Sequence, residues 1–537
     1  MEVRTSERPK ARQYSVQELV EMAQRGELRV PEWQRLFKWK TNNIRELLDS
    51  LEKGFPIGTL LLWKRPEPAP AGTLQLGPHA FPVKQSADAL WVIDGRQRLT
   101  TLAGVFWRRG SPDRDPGTRD MFTWAYDLSS GEWLNPGAKE AWKPEWLPAD
   151  RLVDATDLVA WIASRADALT PEMKARASSL ARDIREYEIP AVIVAAERDE
   201  TLRVIFQRTN DAGVRLRANE TFDALQGALT AERPSTIREL ATVPVEMGFG
   251  KLDPDWLLKI VIQVAGGDFT NAHVTDNASA ADIPRTADAL RRALAFLMAD
   301  VGIPNEALLP YRLPLAVLTA FFDKHPSPKP RSLDLLARWV WRGAASGEHQ
   351  GENIPTVRSL FSAIDEQEEP SVQRLLALSS RSPPGFRSFA RVNTRTAATR
   401  LELLALLSLM PRDLETGAEL DGAGLIASHG SKALPAVVSN GNSGRGELAE
   451  TMVNRVAQPP ERRHVDDLLA QAPESWASTH GVDGRAQDYL RNGQLDRFLE
   501  ARHARLSTLF REFFEARTRP DEPDRPSISS LIIEDAP

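Results

Sequence analysis

The chain has no cysteine, which excludes disulfides and thiolate metal sites and leaves Asp, Glu, His or Asn to hold any bound metal. It has no run approaching the ~20 apolar residues of a membrane span. Its opening, MEVRTSERPKARQYS, lacks the apolar core of a secretory leader. The cytoplasm is therefore the expected location, with no membrane partner. Nor is there an excess of positive charge: 68 Lys and Arg stand against 74 Asp and Glu, for a formal net charge of −6. That balance argues against a uniformly basic coat for nucleic acid, while local basic patches can still form by folding. A length of 537 residues accommodates roughly two to four domains, each large enough to bury its own core.

What is present is concentrated in residues 91–102, WVIDGRQRLTTL. Trp91, Val92 and Ile93 read as a buried strand, and Leu99, Leu102 and Val105 follow at helical spacing. The spacing predicts a strand-to-helix junction at Asp94-Gly95. Such a junction offers backbone N–H groups and the positive end of a helix dipole to an anion. Arg96 and Arg98 add forked donors suited to phosphate, Gln97 adds an amide, Gly95 permits close approach, and Asp94 can hold a metal ion or orient a water. The same residues also fit a plainer role, with Asp94 capping the helix and the arginines pairing with surface acids.

Three segments in order carry a family resemblance. VPEWQRLFKWK (30–40) with IRELLDSLEKGFPIGTLLLW (44–63) is the first, IDGRQRLTTL the second, and IFQRTNDAGVRL (205–216) the third. Together they resemble the N-terminal domain of GmrSD-type restriction endonucleases, a ParB/sulfiredoxin-like module marked by a DGQQR box. Arg96 stands where that family usually has Gln. The resemblance implies a nucleotide pocket in which Asp94 and Arg98 are catalytic, with Gln34, Arg35, Gly95, Arg96, Gln97, Arg208 and Asn210 binding the nucleotide. It also implies a nucleoside triphosphate as substrate and Mg²⁺ as the metal, with Asp94 as its ligand. Gly213 has its own structural reading, as a residue ending a helix.

Elsewhere the chain divides into candidate segments. Residues 1–12 read as loose, and Ser15-x-x-Glu18 is a capping box that opens the first helix. A helix over 42–53 should end at Gly54. Residues 64–90 read as a surface loop or edge hairpin, and 108–120 as a loose insert. Trp124, Trp133, Trp142 and Trp146 suggest strands and turns with no assigned function. The fold class expected is α+β: a ParB/sulfiredoxin-like domain over 1–225, a helical connector over 226–415, a diverged HNH-like or helical domain over 416–515, and a disordered tail over 516–537. His273, His325 and His349 lack metal-site spacing and read as surface or capping residues. Relatives of the resembled family often end in an HNH-type nuclease. His429, Asn454 and His464 occupy the corresponding place, but Ser428, Gly430 and Ser431 around His429 do not fit that class.

Two functions follow. The first is an enzyme: a component of an antiphage restriction system that binds and hydrolyses a nucleoside triphosphate to gate action on foreign or modified DNA. The second is a non-catalytic sensor of nucleotide or modified DNA that recruits a separate nuclease. A nucleotide-switched DNA clamp is a third, weakened by the lack of a helix-turn-helix signature. DNA and other defence-system subunits are the expected partners, and the amphipathic final helix is a candidate for packing or homo-oligomer assembly.

Overall fold

The computed structural model describes residues 9–30, 37, 39–65, 68–107, 120–137, 141–195, 219, 222–223, 235–271, 278–350, 353–380, 389–438 and 447–525. The chain forms two compact units, Met1–Pro234 and Ser235–Pro537. The first is mixed α/β and the second is helical. Among the described residues no helix is long and apolar enough to cross a membrane.

The first unit starts with strand β1 (Lys10–Tyr14), whose first three residues belong to the segment 1–12 expected to be loose. An edge strand depends on backbone pairing rather than apolar side chains, and only Tyr14 is buried here. Helix α1 (Val16–Arg25) opens on the expected capping box: the Glu18 N–H donates to the Ser15 hydroxyl, and the Glu18 carboxylate accepts the Ser15 N–H at 2.7 Å. Strand β2 (Leu28–Arg29) follows. Helix α2 (Thr41–Lys53) buries Ile44, Leu47, Leu48 and Leu51 on one face and ends at Gly54, whose φ of +70° suits a residue without Cβ.

Strands β3 (Leu60–Lys64), β4 (Gly72–Leu76), β5 (His79–Val83) and β6 (Leu90–Asp94) lead into helix α3 (Arg96–Phe106). The stretch 64–90 thus contains the hairpin β4-β5. Beyond it lie β7 (Ala125–Asp127), β8 (Glu132–Leu134), β9 (Trp146–Pro148), helices α4 (Ala155–Ala163) and α5 (Pro171–Glu186), and β10 (Ile189–Ala195).

The main sheet has the order β1-β10-β3-β6-β2. β10 runs parallel to β3 and β2 parallel to β6, while the other pairs are antiparallel. Its central strands are covered on both faces, which explains their continuous apolar runs. Leu19, Leu48, Leu62, Val92, Leu102 and Ile184 are fully buried in one cluster, each stabilising the unit by about 1.5–3 kcal/mol. The second sheet, β8-β7-β9, explains the tryptophan-rich stretch: Trp133 and Trp146 lie in its strands and Trp124 just before β7, all three buried. Glu52 on α2 ties this sheet to the main body, accepting the Tyr126 hydroxyl at 2.5 Å and the Trp133 indole N–H at 2.9 Å. Burial, reinforced by Glu52, holds the Tyr126 phenol proton well above its ordinary range.

In the second unit, apolar helices run over Asp282–Phe296, Leu313–Lys324, Pro330–Ser346 and Ala397–Leu407. Packing runs across position 415. Asn305 donates to the Ala423 carbonyl at 3.0 Å, and the fully buried Arg342 donates to the carbonyls of Thr518 and Arg519 at 2.8 and 3.0 Å. Arg342 also meets the Asp524 carboxylate at 2.7 Å. Residues 516–525, expected to be tail, are therefore folded onto the helix Pro330–Ser346, because a buried guanidinium requires these oxygens.

The final helix, Leu495–Thr518, buries Arg502, whose donors go to the carbonyls of Val453, Arg455 and His480, and burial pulls its pKa down to about 9. Two of the scattered histidines differ from a surface role. His325 caps its helix as expected but is buried, its ring bonded to the Asp365 carbonyl. His349 packs on Trp339 with ring centroids 4.8 Å apart, and burial lowers its pKa to about 3. His273 lies outside the described residues.

Candidate functional site

Asp94 is the last residue of β6 and Gly95 turns the chain into α3. Gly95 has φ +97°, and a Cβ there would collide with Leu60, so both backbone and space require glycine. Asp94 pairs with Leu61, and the register of β3 and β6 shifts between Leu61 and Leu62. Such an irregularity bends a strand end and re-aims its side chain. The Leu99 N–H closes the first turn of α3 on the Gly95 carbonyl at 2.9 Å. Gly95 supplies no side-chain cap and no acid lies in the first turn, so the dipole there favours an anion.

Arg98 sits largely inside, its side chain 15% exposed. Its guanidinium donates to the Ile57 carbonyl at 3.0 Å, the Thr59 carbonyl at 3.0 Å and the Asp94 carboxylate at 3.2 Å. Burial lowers its pKa and Asp94 opposes that shift. Gly58, at φ +83°, makes room for this arrangement: a Cβ there would lie 2.8 Å from the Arg98 guanidinium. Arg98, expected to be catalytic, is thus placed to hold the turn before β3 and to orient Asp94. The partner carbonyls had no signal in the sequence, since every residue carries one. Tyr187 pins the same turn from α5's end, donating to the Phe55 carbonyl at 2.7 Å.

Asp94 itself is 44% exposed and reachable by a ligand. Arg96 is half-buried beside it in sequence. Gln97 accepts the Trp39 N–H at 3.3 Å, which brings the end of the first resembled segment to the box. Because β2 is parallel to β6, the chain also leaves β2 at the end of the sheet where Asp94 lies. Gln34, Arg35, Arg208 and Asn210 lie outside the described residues, as does Gly213. β10, by contrast, ends at Ala195 opposite Lys64, at the other end of the strands.

The three residues considered for a nuclease have separate structural settings. His429 is exposed at the end of the helix Gly422–His429. Asn454 is fully buried, its amide donating to the carbonyls of Val438 and Ala449 and accepting the Val438 N–H. His464, at φ +53°, precedes the helix Val465–Gln471. With its amide bound to backbone on both sides, Asn454 acts as an internal brace and is not presented to a metal. Among the described residues no group of three His, Cys, Asp or Glu could hold a metal ion.

Comparison with known proteins gives a family match within the first unit and a longer alignment to one relative. Residues 16–225 match the family model described as the GmrSD restriction endonuclease, N-terminal domain. An uncharacterized protein of Methanocaldococcus jannaschii is 22% identical over 407 residues, covering 65% of this chain. The alignment spans 66% of that relative, just under two thirds of its length.

Proposed function

We propose, with the GmrSD-type N-terminal match as premise, that the chain is a component of a restriction system whose first unit binds and hydrolyses a nucleoside triphosphate to gate action on foreign or modified DNA. The observation that carries this reading is Asp94: an accessible carboxylate held by a buried arginine, at the mouth of an uncapped helix. In this reading the first turn of α3 and Arg96 receive the phosphates, Gly95 lets them approach, and Gln34, Arg35, Arg208 and Asn210 complete the pocket. Asp94 orients the attacking water, and Arg98 keeps that carboxylate in place. We read the mixed sheet with its site at a strand end as a ParB/sulfiredoxin-like arrangement.

A lone carboxylate does not form a protein-only metal cage, but it does fit Mg²⁺, which is commonly held by one or two carboxylates together with substrate phosphates. Bound that way by Asp94, the ion would neutralise phosphate charge. The sensor reading draws on the same observation, since a single carboxylate also suits binding without turnover. In either reading DNA and other defence subunits are the partners.

Phosphate release from ATP, GTP, CTP and UTP with Mg²⁺, with and without DNA, tests the proposal. Turnover of one nucleotide is expected, falling by about 10²–10³-fold in Asp94→Ala. Binding without release would favour the sensor, and nucleotide affinity and release both unchanged in the variant would remove the site.

A further inference from the structure

Phe55 is 55% exposed, and among the described residues it is the aromatic one of the large apolar side chains that face solvent. A single exposed apolar residue is ordinary, but this one is held in place. The Phe55 N–H donates to the Ser50 carbonyl at 2.8 Å, and the Phe55 carbonyl accepts the Tyr187 hydroxyl at 2.7 Å. Gly54 before it is left-handed, and Pro56 after it has its φ fixed by the ring. Both backbone groups of Phe55 are thus engaged, and a fixed turn presents the ring. The space beside the turn is open, since a Cβ added at Gly54 would meet no atom within 4 Å.

The same turn supports the Asp94 site. Arg98 donates to the carbonyls of Ile57 and Thr59 at 3.0 Å each and to the Asp94 carboxylate at 3.2 Å. Asp94 pairs with Leu61 in antiparallel strands, so the residues just before β3 lie at the Asp94 end of the sheet. Phe55 is two residues from Ile57, a span of about 7 Å at most. An exposed aromatic face therefore stands at the rim of the site. A phenyl ring offers no hydrogen bond, so it selects a ligand by its flat face. Stacking of a base on such a ring contributes about 1–3 kcal/mol.

We propose that Phe55 is the base-stacking residue of the nucleotide site, carrying the nucleobase on its ring while the phosphates reach Asp94 and the first turn of α3. The inference rests on the nucleotide reading of Asp94 and adds a partner for the opposite end of the ligand. Every base has a π face, so stacking here adds affinity for all four, and the choice among them falls to contacts with their edges. Fixing the turn through Tyr187, Ser50 and Arg98 prepares the ring before the ligand arrives, which lowers the cost of binding.

Calorimetric titration of the full chain with ATP, GTP, CTP and UTP, and with inorganic tripolyphosphate, all with Mg²⁺, tests it. At least one nucleoside triphosphate should bind more tightly than tripolyphosphate. Phe55→Ala should weaken that nucleotide about tenfold, the loss of about 1.4 kcal/mol, and leave tripolyphosphate unchanged. Phe55→Leu should behave like Phe55→Ala, whereas Phe55→Trp, which keeps a stacking face, should bind as the parent does. Asp94→Ala should weaken nucleotide and tripolyphosphate alike. The proposal is overturned if Phe55→Ala binds nucleotide as the parent does, if it loses tripolyphosphate to the same degree, if Phe55→Leu binds as tightly as Phe55→Trp, or if no nucleotide outbinds tripolyphosphate in the parent. Tripolyphosphate binding that depends on Asp94 leaves the phosphate site standing in all of these cases; binding of neither ligand, or binding indifferent to Asp94, removes that site as well.

Discussion

Glu402 faces the interior of the second unit from the helix Ala397–Leu407, with one carboxylate oxygen accepting the Ala390 N–H at 3.0 Å and the other without a partner. Burial raises its pKa from 4.5 to about 7, opposed by that one hydrogen bond. At low pH the carboxyl is neutral in folded and unfolded chains alike. As pH rises from 4.5 toward 7, the unfolded chain releases the proton while the folded chain keeps it, so stability falls, and above that window it levels off. The span is about 3 kcal/mol. Glu402→Gln should therefore gain about 3 kcal/mol on the parent between pH 4 and pH 8, read from denaturation curves at both values; parallel pH profiles would refute it. Nothing in the sequence marks Glu402, because its burial depends on how helices pack. The place of Asp94 at a strand end was legible because the apolar run before it and the helical spacing after it are both local. Glu52 was not, since its partners Tyr126 and Trp133 lie 74 and 81 residues away.

Elements whose signals are local were readable, and those made by distant pairing were not. The box strand, its helix, the capping box at Ser15 and the Gly54 stop all rest on residues within a turn of one another. Strand β1 and the segment after Thr518 rest on partners far along the chain. For the latter, Asp524 joins Arg342 at 2.7 Å, while Arg338 meets Glu522 and Asp334. Asp524→Ala leaves the buried Arg342 without its carboxylate and should cost about 3 kcal/mol, seen as a lower midpoint in chemical denaturation. A change within about 0.5 kcal/mol, the range of ordinary surface substitutions, would mean that the segment does not hold the helix Pro330–Ser346.

The whole molecule is two units with separate cores, one around the mixed sheet and one among the helices. The first, of 234 residues, is within the usual size of a domain that folds alone, and the second, of 303, is somewhat above it. Fragments 1–234 and 235–537 should each melt cooperatively by circular dichroism, and a fragment without a transition would show that its core is incomplete. The order of strands adds a temporal consequence. β1 is made before the other strands of its sheet, yet in the described sheet its neighbour is β10, with Lys10 set against Ile193. During synthesis the first strand must wait unpaired until nearly the whole domain has been made. Closing so long a loop is slow, so translation rather than local propensity sets the earliest moment at which this sheet is complete.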